Sequence, residues 1–92
     1  MLGILGYITL PMKNLKTQTA LQHVGLWLKR KRGEAGYTQA QLAMVLGRSK
    51  SFVGAYERGG KVDIEQFVKI AQALNANPHE LIQTLYSGDR RN

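Results

Sequence analysis

The chain has 92 residues, of which 43% are hydrophobic, so it is long enough for one domain with a single modest core. Thirteen Lys and Arg against six Asp and Glu leave a net charge of +7, which favours a polyanionic partner. The absence of cysteine excludes disulfides, thiolate metal ligands and cysteine nucleophiles, and it fits a reducing cytoplasm.

The first twelve residues, MLGILGYITLPM, are apolar and uncharged. They are too short to span a bilayer, which needs about 20 residues, and they lack the basic start and cleavage site of a secretory signal. Three interpretations stay open: a strand at Tyr7–Leu10 that pairs with a partner chain, a flexible tail, or an upstream extension with the true start at Met12. We expect an arm or extension at residues 1–18, a helical domain at 19–87 and a basic tail at 88–92.

The spacing of apolar residues predicts a first helix from about Thr19. Leu21, Val24 and Leu28 recur at helical intervals on one face. This helix is expected to end near Glu34, because glycine and turn residues follow.

Two short helices follow, with a tight turn between them. Thr38 and Gln41 have the spacing of a capping box, which predicts the start of the second helix. Gly47 is suited to end that helix. Ser49 is the expected N-cap of a third helix that runs to about Arg58.

Two further helices complete the predicted domain. Asp63 and Gln66 repeat the capping-box spacing, and Pro78 suits the first turn of a fifth helix. The predicted fold class is therefore all-α, with five helices around one core. The expected apolar faces consist of Ile64, Phe67, Val68, Ala71 and Leu74 in the fourth helix and of Leu81, Ile82 and Leu85 in the fifth.

The third helix has two chemically different sides. Phe52, Val53 and Tyr56 define its inward side, whereas Lys50 and Gly54 share an outward line. Small or cationic residues suit close approach to a phosphate backbone and to base edges. The residues that flank the outward line are of these kinds, namely Ser51, Ala55 and Arg58.

The run Thr38–Gly59, TQAQLAMVLGRSKSFVGAYERG, resembles the helix-turn-helix of Cro and the phage repressors, the XRE family. The similarity continues through Val62–Leu74 and Pro78–Ile82, and it covers residues 20 to 85. The resemblance implies a five-helix, phage-repressor-like domain. Its third helix, Ser49–Arg58, would enter the major groove of double-stranded DNA as the recognition helix.

The resemblance also implies a role for each matching position. Arg32 and Glu57 fall where the family keeps a structural ion pair between the first and third helices. The implied base-reading residues are Ser49, Lys50, Ser51 and Ala55. The implied phosphate-binding residues are Thr38, Gln39, Arg48, Arg58 and Lys61.

One departure from the family pattern affects specificity. Positions 54 and 55 often carry long polar residues in this family, whereas here they are Gly54 and Ala55. Fewer side chains can then read bases directly, so DNA shape and contacts with thymine methyl groups gain weight.

These observations predict a sequence-specific DNA-binding transcriptional regulator, a cytoplasmic repressor that binds as a homodimer without a cofactor or a metal. An alternative function is an antitoxin-like or other interaction module that binds a partner protein as well as DNA, with the apolar arm as its docking segment. Membrane binding is disfavoured because the basic residues are spread over several elements. No nucleophile elbow, paired-carboxylate motif or phosphate-binding glycine loop occurs, so no enzyme is expected.

Overall fold

The structure, a computed structural model, describes the backbone of residues 10–91 and the side chains of residues 20–86. Within that range the chain forms five α-helices and no strand, which confirms the predicted all-α fold class. The helices are α1 (Leu10–Glu34), α2 (Gln39–Leu46), α3 (Lys50–Glu57), α4 (Ile64–Ala73) and α5 (Pro78–Arg91).

The first helix, α1, begins earlier than the apolar spacing predicted, at Leu10 instead of near Thr19. Pro11 lies in the first turn, where its missing N–H costs no helical hydrogen bond, and residues 12–24 contain neither proline nor glycine. The suggested strand at Tyr7–Leu10 is therefore wrong at Leu10. Its remaining residues, like the rest of the first nine, lie outside the described residues.

The predicted starts of α2 and α4 are confirmed by their capping hydrogen bonds. Thr38 Oγ1 accepts from the backbone N of Gln41 at 3.0 Å, and Gln41 Oε1 accepts from the backbone N of Thr38 at 2.8 Å. Asp63 and Gln66 make the same reciprocal pair before α4. Gly47 ends α2 at a φ of 68°, a left-handed conformation that favours glycine.

One core joins all five helices. The face that α4 turns to it differs from the prediction, because Ile64 and Val68 are exposed while Ile70 is buried. Phe67, Ile70, Ala71 and Leu74 have helical spacing and fill one side of α4, which leaves Val68 at its edge. In α5 the predicted core residue Ile82 is exposed as well. The buried core residues are Trp27, Leu28, Leu42, Ala43, Val53, Tyr56, Ile70, Leu74 and Leu81.

The last helix, α5, continues to Arg91, so residues 88–91 of the expected basic tail have helical backbone. This stretch contains no proline, and its single glycine, Gly88, costs a helix only about 1 kcal/mol relative to alanine. The end of the apolar pattern therefore did not coincide with the end of the helix.

The recognition-helix candidate, α3, lies very close to α1 at Gly25. A Cβ atom at this position would come within 2.8 Å of the carbonyl oxygen of Glu57 and closer still to that of Tyr56. Only glycine permits such an approach of two helix backbones without a shift. The contact positions α3 against the longest helix of the domain.

Candidate nucleic-acid interface

The outer side of α3 is the candidate interface. Val53 and Tyr56 anchor its inner side in the core, with exposed fractions of 0% and 2%. Lys50, Ser51 and Ala55 are exposed on the other side. The helix therefore exposes an ammonium, a hydroxyl and a methyl group to solvent while its opposite side is anchored in the core.

The first turn of α3 is held by Ser49 and Phe52. Ser49 Oγ accepts a hydrogen bond from the backbone N of Phe52 at 3.2 Å, which leaves the hydroxyl hydrogen as a donor. The ring of Phe52 meets that of Tyr56 edge-on at 5.5 Å, and the guanidinium of Arg48 lies 4.0 Å from the Phe52 ring centre. Phe52 thus packs against the core, and Arg48 is held beside the start of α3.

The inner end of α3 is tied to α1 through Glu57, the only buried charged residue among those described. Arg32 Nε donates to Glu57 Oε2 at 2.6 Å and Arg32 Nη2 donates to Glu57 Oε1 at 3.1 Å. Arg32 Nη1 also donates to the carbonyl of Tyr37 at 2.9 Å, in the connection to α2. Hydrogen bonding to Glu57 raises the pKa of Arg32. This pair of residues therefore binds α1, the α1–α2 connection and α3 together.

Gln39, at the first position of α2, packs over α3. Its Nε2 donates to Glu57 Oε1 at 2.9 Å, and its amide atoms lie 3.8–3.9 Å from the place of a Cβ on Gly54. The sequence indicated only a phosphate contact for Gln39. The bond to Glu57 joins residues 18 positions apart, and no local spacing rule connects residues so distant in the chain.

Gly54 is buried, although the helical spacing placed it on an open outward line. Arg58 Nη1 lies 3.2 Å from the position of a Cβ at Gly54, and the Gln39 side chain covers the glycine from α2. The exposed side of α3 therefore lacks one of its predicted residues, Gly54. It consists of Lys50, Ser51 and Ala55, together with the C-cap residue Arg58.

A series of basic side chains follows the chain from the α2–α3 turn to the loop after α3. All of them are exposed, and none has an acidic partner within ion-pair distance among the residues whose side chains are described. Unpaired cations on this part of the surface favour an anionic ligand. These side chains are Arg48, Lys50, Arg58 and Lys61.

Two other kinds of feature are absent from the described part of the chain. It contains no cluster of three or more His, Asp or Glu side chains able to hold a metal ion. It also has no helix with the length and apolar character needed to cross a membrane.

Comparison with known proteins yields one match. The model of the family described as Helix-turn-helix matches residues 28–81, which is more than half of the chain. The matched region includes the whole of α2, the turn at Gly47 and α3. No curated protein and no solved structure matches the chain. With α2 and α3 arranged as described and the family match across both, this chain belongs to the Cro/phage-repressor-type helix-turn-helix family of DNA-binding regulators.

Proposed function

We propose that this protein is a sequence-specific transcriptional regulator that inserts Ser49–Arg58 into the major groove of DNA. The observation that carries the proposal is the division of α3 into a buried side and an exposed side. Val53 lies in the core, while Lys50, Ser51 and Ala55 face solvent. A short helix supported in this way can bring its outer side chains to base edges.

The exposed residues offer complementary chemistry to bases. The Lys50 ammonium can donate to O6 and N7 of guanine, and the Ser51 hydroxyl can donate or accept. Ser49 has its oxygen engaged as the N-cap, so it would contribute its O–H hydrogen. The Ala55 methyl group suits contact with the methyl group of thymine.

Phosphate contacts would come from the start of α2, from the turn between α2 and α3 and from the loop after α3. The first backbone N–H groups of α2, beginning with Gln39, have no acceptor within the helix, and the cap residue Thr38 satisfies that of Gln41. Arg48, held on the Phe52 ring, and Lys61, in the loop after α3, add exposed positive charge. These contacts would position the protein without reading sequence.

We further propose that two copies bind a near-palindromic site, with their recognition helices about 34 Å apart. Ile82 and Tyr86 support an interface on α5, because they lie four residues apart and expose 59% and 64% of their surface. A dimer seated in the major groove occludes the same bases from other proteins, so repression is the proposed effect. The proposed location is the cytoplasm, where the protein would have access to DNA.

The interaction-module alternative depended on the apolar N-terminal arm. Residues 1–9 of that arm lie outside the described residues, and no contact in the described part favours a protein partner there. The exposed side of α3 favours DNA.

A random-sequence DNA selection with the purified protein tests the proposal. We expect an enriched inverted repeat, and the logarithm of the binding constant should fall linearly with the logarithm of salt concentration. Lys50→Glu should abolish enrichment, whereas Lys29→Glu, the same change of charge at an exposed site on α1, should leave the motif intact. A selection without an enriched motif would contradict sequence-specific binding, and a flat salt dependence would contradict the phosphate contacts.

A further inference from the structure

The side chain of Arg58 folds back along the exposed side of α3. Arg58 is the C-cap of this helix and follows Gly54 by four residues, so the two share a face. Its Nη1 atom lies 3.2 Å from the position that a Cβ on Gly54 would take. The guanidinium is therefore level with the middle of α3 and does not project past its end.

Gly54 makes this position available. A Cβ at 3.2 Å from the guanidinium nitrogen would be closer than an ordinary van der Waals contact, so a larger residue would force the Arg58 head group to shift by a few tenths of an ångström. Glycine in the middle of a helix is otherwise unfavourable for helix formation. The Arg58 guanidinium and the Gln39 amide border the space that the missing Cβ leaves.

The Arg58 guanidinium also differs from the other two arginines near α3 in what it contacts. Arg32 is held by Glu57 in two hydrogen bonds, and the head group of Arg48 lies on the ring of Phe52. Among the described residues no carboxylate lies within ion-pair distance of Arg58. Its side chain is exposed beside the side of α3 proposed to meet DNA, and a guanidinium carries a planar set of five N–H donors.

We propose that Arg58 reads a guanine in the major groove, and that Gly54 is the residue that positions it. The fork of guanidinium donors matches guanine O6 and N7, the most common specific contact in this groove. The family resemblance implies a phosphate contact for Arg58. Its guanidinium instead takes the place of the long polar side chains that often contact bases from positions 54 and 55 in this family. This assignment rests on the proposed function, since it requires α3 to enter the major groove.

Selections on randomised DNA with the wild type, Arg58→Ala and Arg58→Lys test the proposal. We expect the wild-type motif to contain, in each half-site, a guanine whose preference falls by about 5- to 150-fold in Arg58→Ala, with the other positions retained. Arg58→Lys should restore only part of the preference, because an ammonium lacks the fork. The matched control, Lys61→Ala, should weaken binding to all DNA sequences by one common factor. Thermal unfolding would establish that each variant is folded.

Gly54→Ala tests the positioning role without removing the arginine. The added methyl group should reduce the preference for the same guanine and leave the positions that depend on Lys50 unchanged. An unchanged guanine preference in this variant would overturn the role of Gly54. Arg58→Ala could instead weaken binding to all DNA sequences equally and lower the slope of log affinity against log salt concentration by about one. Arg58 would then bind a phosphate, and the assignment of Arg58 to a guanine would fail while the proposed function stands. If the wild type enriches no motif, the proposed function fails with it.

Discussion

Arg32 and Glu57 are joined by two hydrogen bonds, of 2.6 and 3.1 Å, which connect α1 to the last residue of α3. The same carboxylate accepts a third hydrogen bond, from Gln39 in α2. One buried acidic group thus sets the orientation of α3 relative to both preceding helices. The exposed side of α3 is therefore held in place by contacts on its opposite side.

We expect Arg32→Ala to destabilise the fold by about 3–5 kcal/mol, because it leaves the Glu57 charge buried without its main partner. The free energy of unfolding from urea denaturation would measure this loss. Lys69→Ala is the matched control, since Lys69 pairs with Glu65 at the surface with both side chains mostly exposed. It should change stability by less than about 0.5 kcal/mol. Equal effects of the two substitutions would contradict the structural role of Arg32.

Two glycines of α1 should respond in opposite directions to alanine. Gly25→Ala should destabilise the fold by about 1–3 kcal/mol, because the added Cβ meets backbone carbonyls of α3 that can move only if the helices separate. Gly33→Ala should stabilise it by up to about 1 kcal/mol, because alanine favours the helix and, beyond the local helix backbone, no described atom lies within 4 Å of the position of the added Cβ. Thermal unfolding of both variants checks the pair. A stabilised Gly25→Ala variant would be incompatible with the close approach of α1 to α3.

The hydroxyl of Tyr56 is buried and has no hydrogen-bond partner among the residues whose side chains are described. We expect Tyr56→Phe to leave the fold as stable as the wild type or to stabilise it by up to about 1 kcal/mol, because it removes an unsatisfied polar group. Chemical denaturation at neutral pH gives the comparison. A clear loss of stability would indicate that the hydroxyl has a partner.

Tyr56 should also make the fold sensitive to alkaline pH. Burial raises the pKa of Tyr56 far above its ordinary value of 10.0, and the nearby charge of Glu57 raises it further. The folded state then holds this proton more tightly than the unfolded chain. The stabilisation is complete below pH 10.0 and declines as the pH rises above that value towards the folded pKa. Tyr56→Phe should lose less stability at alkaline pH than the wild type, as measured by urea denaturation at several pH values. An equal loss in both proteins would contradict this role of Tyr56.

Lys50 and Lys61 should affect DNA binding in different ways. Lys50→Ala is expected to relax the preference at one or two base pairs, by about 1–3 kcal/mol, because its ammonium faces base edges. Lys61→Ala should weaken binding to all DNA sequences alike. It should also reduce the slope of log affinity against log salt concentration by about one. Competition titrations at several salt concentrations separate the two effects. Identical behaviour of the variants would contradict the division between base and phosphate contacts.

The proposed dimer interface on α5 can be tested in the absence of DNA. Ile82→Glu should convert a dimer to a monomer in analytical ultracentrifugation, because it places a charge in an apolar contact. Val45→Glu introduces the same charge at a comparably exposed apolar position on α2 and should leave the dimer intact. A monomeric wild type at high concentration would exclude this interface in solution.

Several features of the fold were predictable because they depend on residues close together in the chain. The capping boxes at Thr38 and Asp63 and the left-handed turn at Gly47 each involve neighbours within a few positions. The division of α3 into buried and exposed sides also follows from helical spacing and was predicted at Lys50 and Val53. The start of α1 was missed, because the residues before Thr19 allow a helix without showing a clear apolar face.

Local sequence patterns were sufficient to identify the helix pair from Thr38 to Gly59 and its similarity to DNA-binding regulators, since caps, turn and apolar spacing involve residues close together in the chain. How α3 is held and which of its residues stay exposed follow from the packing of the helices. The approach of α1 to α3 at Gly25, the bond from Gln39 to Glu57 and the cover that Arg58 and Gln39 form over Gly54 set these outcomes. Such contacts depend on how separate helices pack in space, and helical periodicity carries no information about that packing.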